Sequence, residues 1–266
     1  MMFKKILILT FPTLAVAGVA YANTPFQGFY ADLGVGGINT NFNLSQVVSI
    51  APYDNSFTAN APYDPNNSDY GVTGSLGLGY TFLLTPSVTL GAEINADVED
   101  ATTTNNDSVN FNIPGTDGGG INASNTITNK LKNSFAFLIK PGFLMDQGNT
   151  MVYGIIGPRW GNFETSTSSL FQINNGDGNG NAGGSAANSH SGYDVGLVLG
   201  AGIQKYISNN LSVGVEYQYT NYGHISTPSS SGVIYSSGVG GGTLSNTINS
   251  IKAQTNVLAV HLMYHF

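Results

Sequence analysis

The feature that most constrains this chain is a period of two. Eight segments alternate apolar residues with small or polar ones, the mark of strands whose two faces meet different surroundings. They lie at roughly 26–37, 70–83, 88–99, 130–144, 151–163, 191–206, 211–222 and 249–266. In the seventh, Leu211, Val213, Val215, Tyr217 and Tyr219 alternate with Ser212, Gly214, Glu216, Gln218 and Thr220. In the eighth, Leu258, Val260, Leu262, Tyr264 and Phe266 alternate with Ala259, His261, Met263 and His265. The fifth is the least regular. No apolar run beyond residue 22 reaches the length of a membrane helix.

The connections sort by length. Tight turns follow the second, fourth and sixth segments: Leu84-Thr85-Pro86-Ser87, Asp146-Gln147-Gly148-Asn149 and Ser208-Asn209-Asn210. The other connections are long, about 25 to 30 residues, and rich in Asn, Gly, Ser and Thr, so they are predicted as external loops. Short turns on one side and long loops on the other are the pattern of a membrane barrel, and a soluble sandwich has no reason to sort its loops this way. In hydrocarbon every backbone N–H and C=O needs an internal partner, so no sheet edge is allowed and the eighth segment must pair with the first. The expected fold is therefore all-β: a closed antiparallel up-and-down transmembrane β-barrel of eight strands. Ten strands is the alternative if loop one or loop two folds back as a hairpin. Tyr80, Phe82, Tyr217, Tyr219, Tyr264 and Phe266 fall near the span ends, where an aromatic girdle belongs.

Composition agrees. Met1-Met2-Phe3-Lys4-Lys5, an apolar stretch from Ile6 and the small-x-small site Ala20-Tyr21-Ala22 read as a secretory signal peptide. The expected organisation is a signal peptide over 1–22 and a barrel domain over 23–266. Losing Lys4 and Lys5 leaves six Lys/Arg against fifteen Asp/Glu, a net charge of −9. An acidic chain lacks the electrostatic footprint for phosphate backbones, so nucleic acid is excluded as a partner. The absence of cysteine rules out a disulfide framework and thiolate metal sites. Ala51-Pro52-Tyr53-Asp54 recurs as Ala61-Pro62-Tyr63-Asp64, which reads as a loop duplication.

Four charged residues stand out. Glu93 is the sixth residue of the third segment, Glu216 the sixth of the seventh, and Lys140 lies six before Asp146. All three have inward parity, so they are expected at one depth inside the barrel, with Arg159 slightly higher. They are predicted to form a lumenal ion-pair network, acting either as a gate or as a polar plug that satisfies buried charge. No catalytic residue, cofactor or metal site is assigned. His224-Ile225-Ser226 has an H-x-S spacing, but no Asp or Glu follows Glu216 to orient the imidazole. Asp97, Glu99 and Asp100 offer acids high on the barrel without a matching histidine. Asp177-Gly178-Asn179-Gly180-Asn181 and Asp64-x-Asn66-x-Ser68 each match only half of a calcium loop. His261 and His265 share an inward face about 13 Å apart by rise, too far for one ion.

Several segments together resemble the small outer-membrane β-barrel family of the OmpA and opacity-protein type. They are Gly28-Phe29-Tyr30-Ala31-Asp32-Leu33-Gly34-Val35-Gly36-Gly37, Gly74-Ser75-Leu76-Gly77-Leu78-Gly79-Tyr80 and Leu211-Ser212-Val213-Gly214-Val215-Glu216-Tyr217. The terminal Leu262-x-Tyr264-x-Phe266 resembles the family's C-terminal assembly signal. The resemblance implies a monomer in the outer membrane of a Gram-negative cell, in contact with outer-membrane lipid and lipopolysaccharide, and inserted by the barrel-assembly machinery. It implies a non-enzymatic structural or adhesin-like role with a surface or host ligand held by the loops; a narrow channel is the alternative. The chain ends at Phe266, so the periplasmic peptidoglycan-binding domain of longer members is not expected.

Overall fold

The computed structural model describes residues 25–52, 59–63, 66–112, 120–174, 182–227, 231–237 and 240–266. The expected signal peptide, the Asp177 segment and Asp64 lie outside them, as do Tyr53 and Asp54 of the first repeat copy. The described strands are β1 (Gly28–Pro52), β2 (Ala59–Tyr63), β3 (Asn66–Thr85), β4 (Val88–Asn112), β5 (Gly120–Met145), β6 (Thr150–Asn174), β7 (Ala182–Ser208), β8 (Leu211–Ile225), β9 (Ser231–Ser237) and β10 (Gly240–His265). They form one sheet in the order β2-β1-β3-β4-β5-β6-β7-β8-β10-β9, and β1 also pairs with β10. That pairing runs from Tyr30↔His265 to Pro52↔Gly242 and closes the ring. Phe266 adds the last rung, its N–H donating to the Phe29 carbonyl at 3.0 Å. Eight long antiparallel strands make the barrel. The short β2 and β9 flank β1 and β10 at the ends away from the tight turns.

The strands are longer than the sequence segments, which corrects the expectation of four long loops. β4 and β5 stay paired from Val88↔Phe143 to Asn112↔Gly120, and β6 and β7 from Thr150↔Lys205 to Ile173↔Ala182. A tilted span needs only about 9–11 residues, so each of these hairpins rises well beyond a bilayer. The physical reason lies in the polar stretches themselves, which keep a period of two. On β5, Ala123, Ile127 and Leu131 point inward while Ser124, Thr126 and Thr128 point outward. Thr suits a pleated surface, so this composition builds an outer strand face.

What changes along the strands is which face is apolar. Near the turns it is the outer face: Leu33, Leu78 and Ile94 are each 60% exposed or more. Higher up it is the inner face, where Ile38, Phe42, Ile127, Leu131, Phe163 and Ile251 belong to one buried cluster. The swap falls between Val35 and Ile38 on β1, Val98 and Ala101 on β4, Phe135 and Leu131 on β5, and Trp160 and Phe163 on β6. These positions are in register, because Ala101 pairs with Leu131 and Leu131 with Phe163. Register shifts at Val98/Ala101 and Leu131/Asn133 sit at the same level. Through the second, Ser134 and Ala136 face inward below it and Leu131 and Asn129 above it, as a bulge re-aims a strand.

An outward apolar face belongs to a lipid solvent and an inward one to water outside. The turn-side half therefore spans the membrane and the upper half projects from it. Aromatic side chains mark both rims of the span. Phe29 packs on Tyr80 at 4.8 Å and Tyr264 on Phe266 at 5.1 Å at the turn side; Phe135 stacks on Trp160 at 5.0 Å just below the swap. Above the swap, Lys132 hydrogen-bonds Glu164, and that contact holds the exposed Glu164 carboxyl below its ordinary range. A charge placed on the outer face reads the swap directly. Leu78→Arg is expected to cost about 2–4 kcal/mol in reversible urea unfolding in lipid, whereas Thr104→Arg stays within about 0.5 kcal/mol. Equal costs would remove the boundary.

Candidate functional site: a buried lumenal ion network

The site is built by three-strand rows. Tyr30 on β1 pairs with Gly79 on β3, which pairs with Glu93 on β4. Tyr153 on β6 pairs with Gly202 on β7, which pairs with Glu216 on β8. In each row the central glycine clears the path for the tyrosine to reach the acid. A Cβ on Gly79 would lie 2.4 Å from Tyr30 Cζ, and one on Gly202 2.6 Å from Tyr153 Cζ. Tyr30 donates to Glu93 Oε2 at 2.8 Å and Tyr153 to Glu216 Oε1 at 2.7 Å. Lys140, from β5, stands between the rows. Its Nζ donates to Glu93 Oε2 at 2.6 Å and to Glu216 Oε1 at 2.8 Å, and lies 5.5 Å from the centre of the Tyr153 ring.

Arg159 joins through an intermediary. Its Nη2 donates to Gln218 Oε1 at 2.6 Å and lies 3.4 Å from Asp97 Oδ2. Gln218 Nε2 in turn donates to Glu216 Oε2 at 2.8 Å. Thus Glu93, Lys140 and Glu216 meet directly, and Arg159 reaches them only by way of Gln218. Tyr30, Tyr153, Gln218 and the pair Asp32–His261 are partners the charge pattern alone did not name. His261 Nδ1 lies 2.9 Å from Asp32 Oδ2, and its Nε2 3.7 Å from Glu216 Oε2. The inward parity of Tyr30, Asp32, Gln218 and His261 was readable, that of Tyr153 on the irregular fifth segment was not, and which of them share a depth needed the register.

Apolar clusters flank the network on both sides. The upper apolar cluster lies above it. Phe26, Leu144 and Met151 belong to a second cluster at the turn side, where Phe26 packs edge-on to Tyr206 at 4.5 Å. Lys140, Glu93, Glu216 and Arg159 are each at most 4% exposed.

The other sequence candidates fall apart as sites. His224 is exposed and the intervening Ile225 is buried. Ser226 takes its acid directly, donating through Oγ to Asp194 Oδ1 at 2.9 Å, with no imidazole between. Asp97 and Glu99 are buried inside, while Asp100 points out toward Lys130 at 3.7 Å. His265 lies beside Ser212 Oγ at 3.0 Å, away from the His261 pair. Leu262, Tyr264 and Phe266 line the outer face at 44, 48 and 74% exposure, as lipid-facing residues do.

A closed, membrane-facing ring around a charged interior defines a transmembrane barrel. The family model for the outer membrane protein beta-barrel domain matches residues 6–266, and the chain belongs to that family. No curated protein matches it. Among solved structures it is similar to Ail, the attachment invasion locus protein of Yersinia pestis, at 12% identity and TM-score 0.29, over 89% of this chain and 99% of that one. It is similar to the outer membrane protein OprG of Pseudomonas aeruginosa at 10% identity and TM-score 0.35, over 92% and 100%. It is also similar to the outer membrane protease OmpT of Escherichia coli at 9% identity and TM-score 0.30, over 92% and 99%.

Removing one member of the network strands the others. Lys140→Met should cost about 3–5 kcal/mol in urea unfolding, because two buried carboxylates lose their cation. Adding Glu93→Gln and Glu216→Gln should recover much of that loss. A triple variant no more stable than Lys140→Met would show that the three do not act as a unit.

Proposed function

We propose that the protein is a plugged, non-enzymatic outer-membrane barrel whose work is done by the surface it raises above the membrane. The observation that carries this reading is the occluded lumen: an ion network with apolar clusters above it and at its turn side. An eight-stranded barrel is just wide enough for side chains to fill, and these fill it. The outer face above the swap offers hydroxyls and amides in rows. Thr104 and Thr128 are 3.3 Å apart, Thr126 donates to Asn106 at 2.8 Å, and Asn122 to Asn110 at 2.7 Å. A shallow groove beside them is lined by Thr126, Thr128, Ser166, Ser168 and Ser189. Such a face hydrogen-bonds a sugar or a protein surface with little dependence on salt. Contact with lipopolysaccharide and insertion through the barrel-assembly machinery, with Leu262, Tyr264 and Phe266 as the signal, complete the proposal.

Two measurements test it. In planar bilayers the parent and Lys140→Ala should both stay silent, since the upper cluster blocks the path either way; discrete steps from the parent would favour the narrow channel instead. Cells displaying the chain should attach to a host-cell or glycan surface more than cells without it, and trimming the β4–β5 hairpin above residues 103–128 should reduce attachment. Full attachment by the trimmed form would sink the surface reading.

A further inference from the structure

The rows that end on Glu93 and Glu216 have a third counterpart higher up, and it is incomplete. Tyr222, on β8, lies across glycines of the next two strands. A Cβ on Gly196 would lie 2.8 Å from Tyr222 Cδ1, and one on Gly161 2.9 Å from its Cε1. Gly161 pairs with Ser134 on β5, and Ser134 with Asp97 on β4. The ring therefore points along the inner wall toward the acids of β4, as Tyr30 and Tyr153 point toward theirs. Beyond Asp97 on the same inner face is Glu99, only 3% exposed. Here the pattern breaks. Both Glu99 oxygens and the Tyr222 hydroxyl are buried with no hydrogen-bond partner.

The ionisable groups that face Glu99 are Asp97 on its own strand, Arg159 on β6 and Tyr222 on β8. On β3 its paired residue is Thr73, which carries no charge. Arg159 is committed elsewhere, with Nη2 donating to Gln218 Oε1 and lying 3.4 Å from Asp97 Oδ2. Its charge balances that of Asp97, so an ionised Glu99 would leave one negative charge in excess. A bare carboxylate away from water is far costlier than a neutral acid. Ser134 decides where a proton belongs. It lies beside Glu99, but its hydroxyl donates its one hydrogen to Asp97 Oδ2 at 3.0 Å. Toward Glu99 it can only accept, and only a protonated carboxyl has a hydrogen to give. A small rotation then completes a chain from Glu99 through Ser134 to Asp97.

We propose that Glu99 is carried as the neutral acid and serves as a proton-operated latch on the upper apolar cluster, closed while Glu99 keeps its proton and loosened when the proton is lost. The cluster is built directly on this acid. Ala101 follows Glu99 on the same inner face, and Tyr222 packs edge-on to Phe163 at 4.8 Å. Below Glu99 the charges are already paired. The water that an ionised Glu99 needs must therefore come from above, between Ala101, Leu131, Phe163 and Tyr222. The Lys140 bridges to Glu93 and Glu216 are untouched by this change, so the lumen stays plugged. What responds is the raised half of the barrel, and the latch ties its packing to the acidity outside. This goes beyond the surface role and does not depend on it.

The test compares the full refolded barrel with Glu99→Gln, which keeps the shape of the neutral acid and cannot ionise. At about pH 5 the parent should show an infrared carbonyl band of a protonated carboxyl that Glu99→Gln lacks, and raising the pH to about 9 should remove it. The unfolded chain releases this proton near pH ~4, so the folded state holds a proton that the unfolded state gives up, and stability falls as pH rises. The melting temperature of the parent should therefore drop relative to that of Glu99→Gln between about pH 5 and about pH 9. Amide hydrogen exchange at Ile127, Leu131 and Phe163 should be roughly tenfold faster in the parent than in the variant at about pH 9, and equal at about pH 5. Comparison at one pH cancels the pH dependence of exchange itself. If the variant does not close, the parent decides alone: its carboxyl band should vanish over the same pH range in which these amides speed up relative to those of Leu78 and Ile94. An acid band that does not depend on Glu99 would overturn the proposal. So would equal exchange at the higher pH, the result expected if Arg159 Nε–H simply turns onto the ionised carboxylate.

Discussion

The structure turns on a lysine ammonium held away from water between two carboxylates. Lys140 sits where the outer face is lipid and the inner face is protein, so bulk water reaches it from neither side. Such a charge is tolerable only if its partners are fixed and its remaining lone pairs are satisfied. The barrel meets that demand with two near-equivalent rows, Tyr30-Gly79-Glu93 and Tyr153-Gly202-Glu216, that approach from opposite arcs of the ring. Each acid accepts from a tyrosine as well as from Lys140, so both carboxylates are held facing the lysine. The glycine in each row is part of the same device. A side chain there would occupy the space of the tyrosine ring, and the acid would lose its second donor.

That demand also fixes the register of the ring. A slip of one residue between β3 and β4 would turn Glu93 into hydrocarbon and Ile94 into the lumen, reversing both faces at once. The charged interior therefore discriminates against misregistered closure more sharply than the lipid-facing side chains, which are interchangeable aliphatics. Pairing of β1 with β10, the contact most distant in sequence, carries its own polar marker in Asp32 and His261. The closing strands recognise each other by charge inside and by the Phe29–Phe266 rung at the turn side.

Much of this was legible in the sequence, and the part that was not has a physical cause. Alternation gave the faces, and counting from the turns brought Glu93, Lys140 and Glu216 to one depth, because rise per residue is constant. The same counting placed Arg159 higher, where it reaches Glu216 only through Gln218. Tyr30 carried inward parity too, and Tyr153 lay on the irregular fifth segment, but parity does not say which side chains bridge a neighbouring strand; the Gly79 and Gly202 pairings do. The long polar stretches were misread for another reason. Asn, Ser and Thr are loop residues by composition, and apolar residues such as Ile127 and Phe42 are sparse among them. Read as a second alternation with its apolar side reversed, they are strands in water.

The reversal explains why the two halves can coexist in one sheet. Below the swap, lipid is the solvent for the apolar face, and the interior is free to be polar provided its charges pair. Above it, water takes the outer face, and only the interior is left to bury apolar groups. Each strand that crosses the boundary must therefore exchange the roles of its faces while its hydrogen-bond ladder runs on. A strand can do this by changing residue type at fixed parity, as β1 does between Val35 and Ile38. It can also shift parity at a bulge, as β5 does around Lys132. Both routes appear at the same level, so the boundary is a property of the whole ring. The apolar cluster just above it lids the ion network, and the lipid below walls it in. The buried charges thus lie below the upper apolar cluster, at a height walled by lipid.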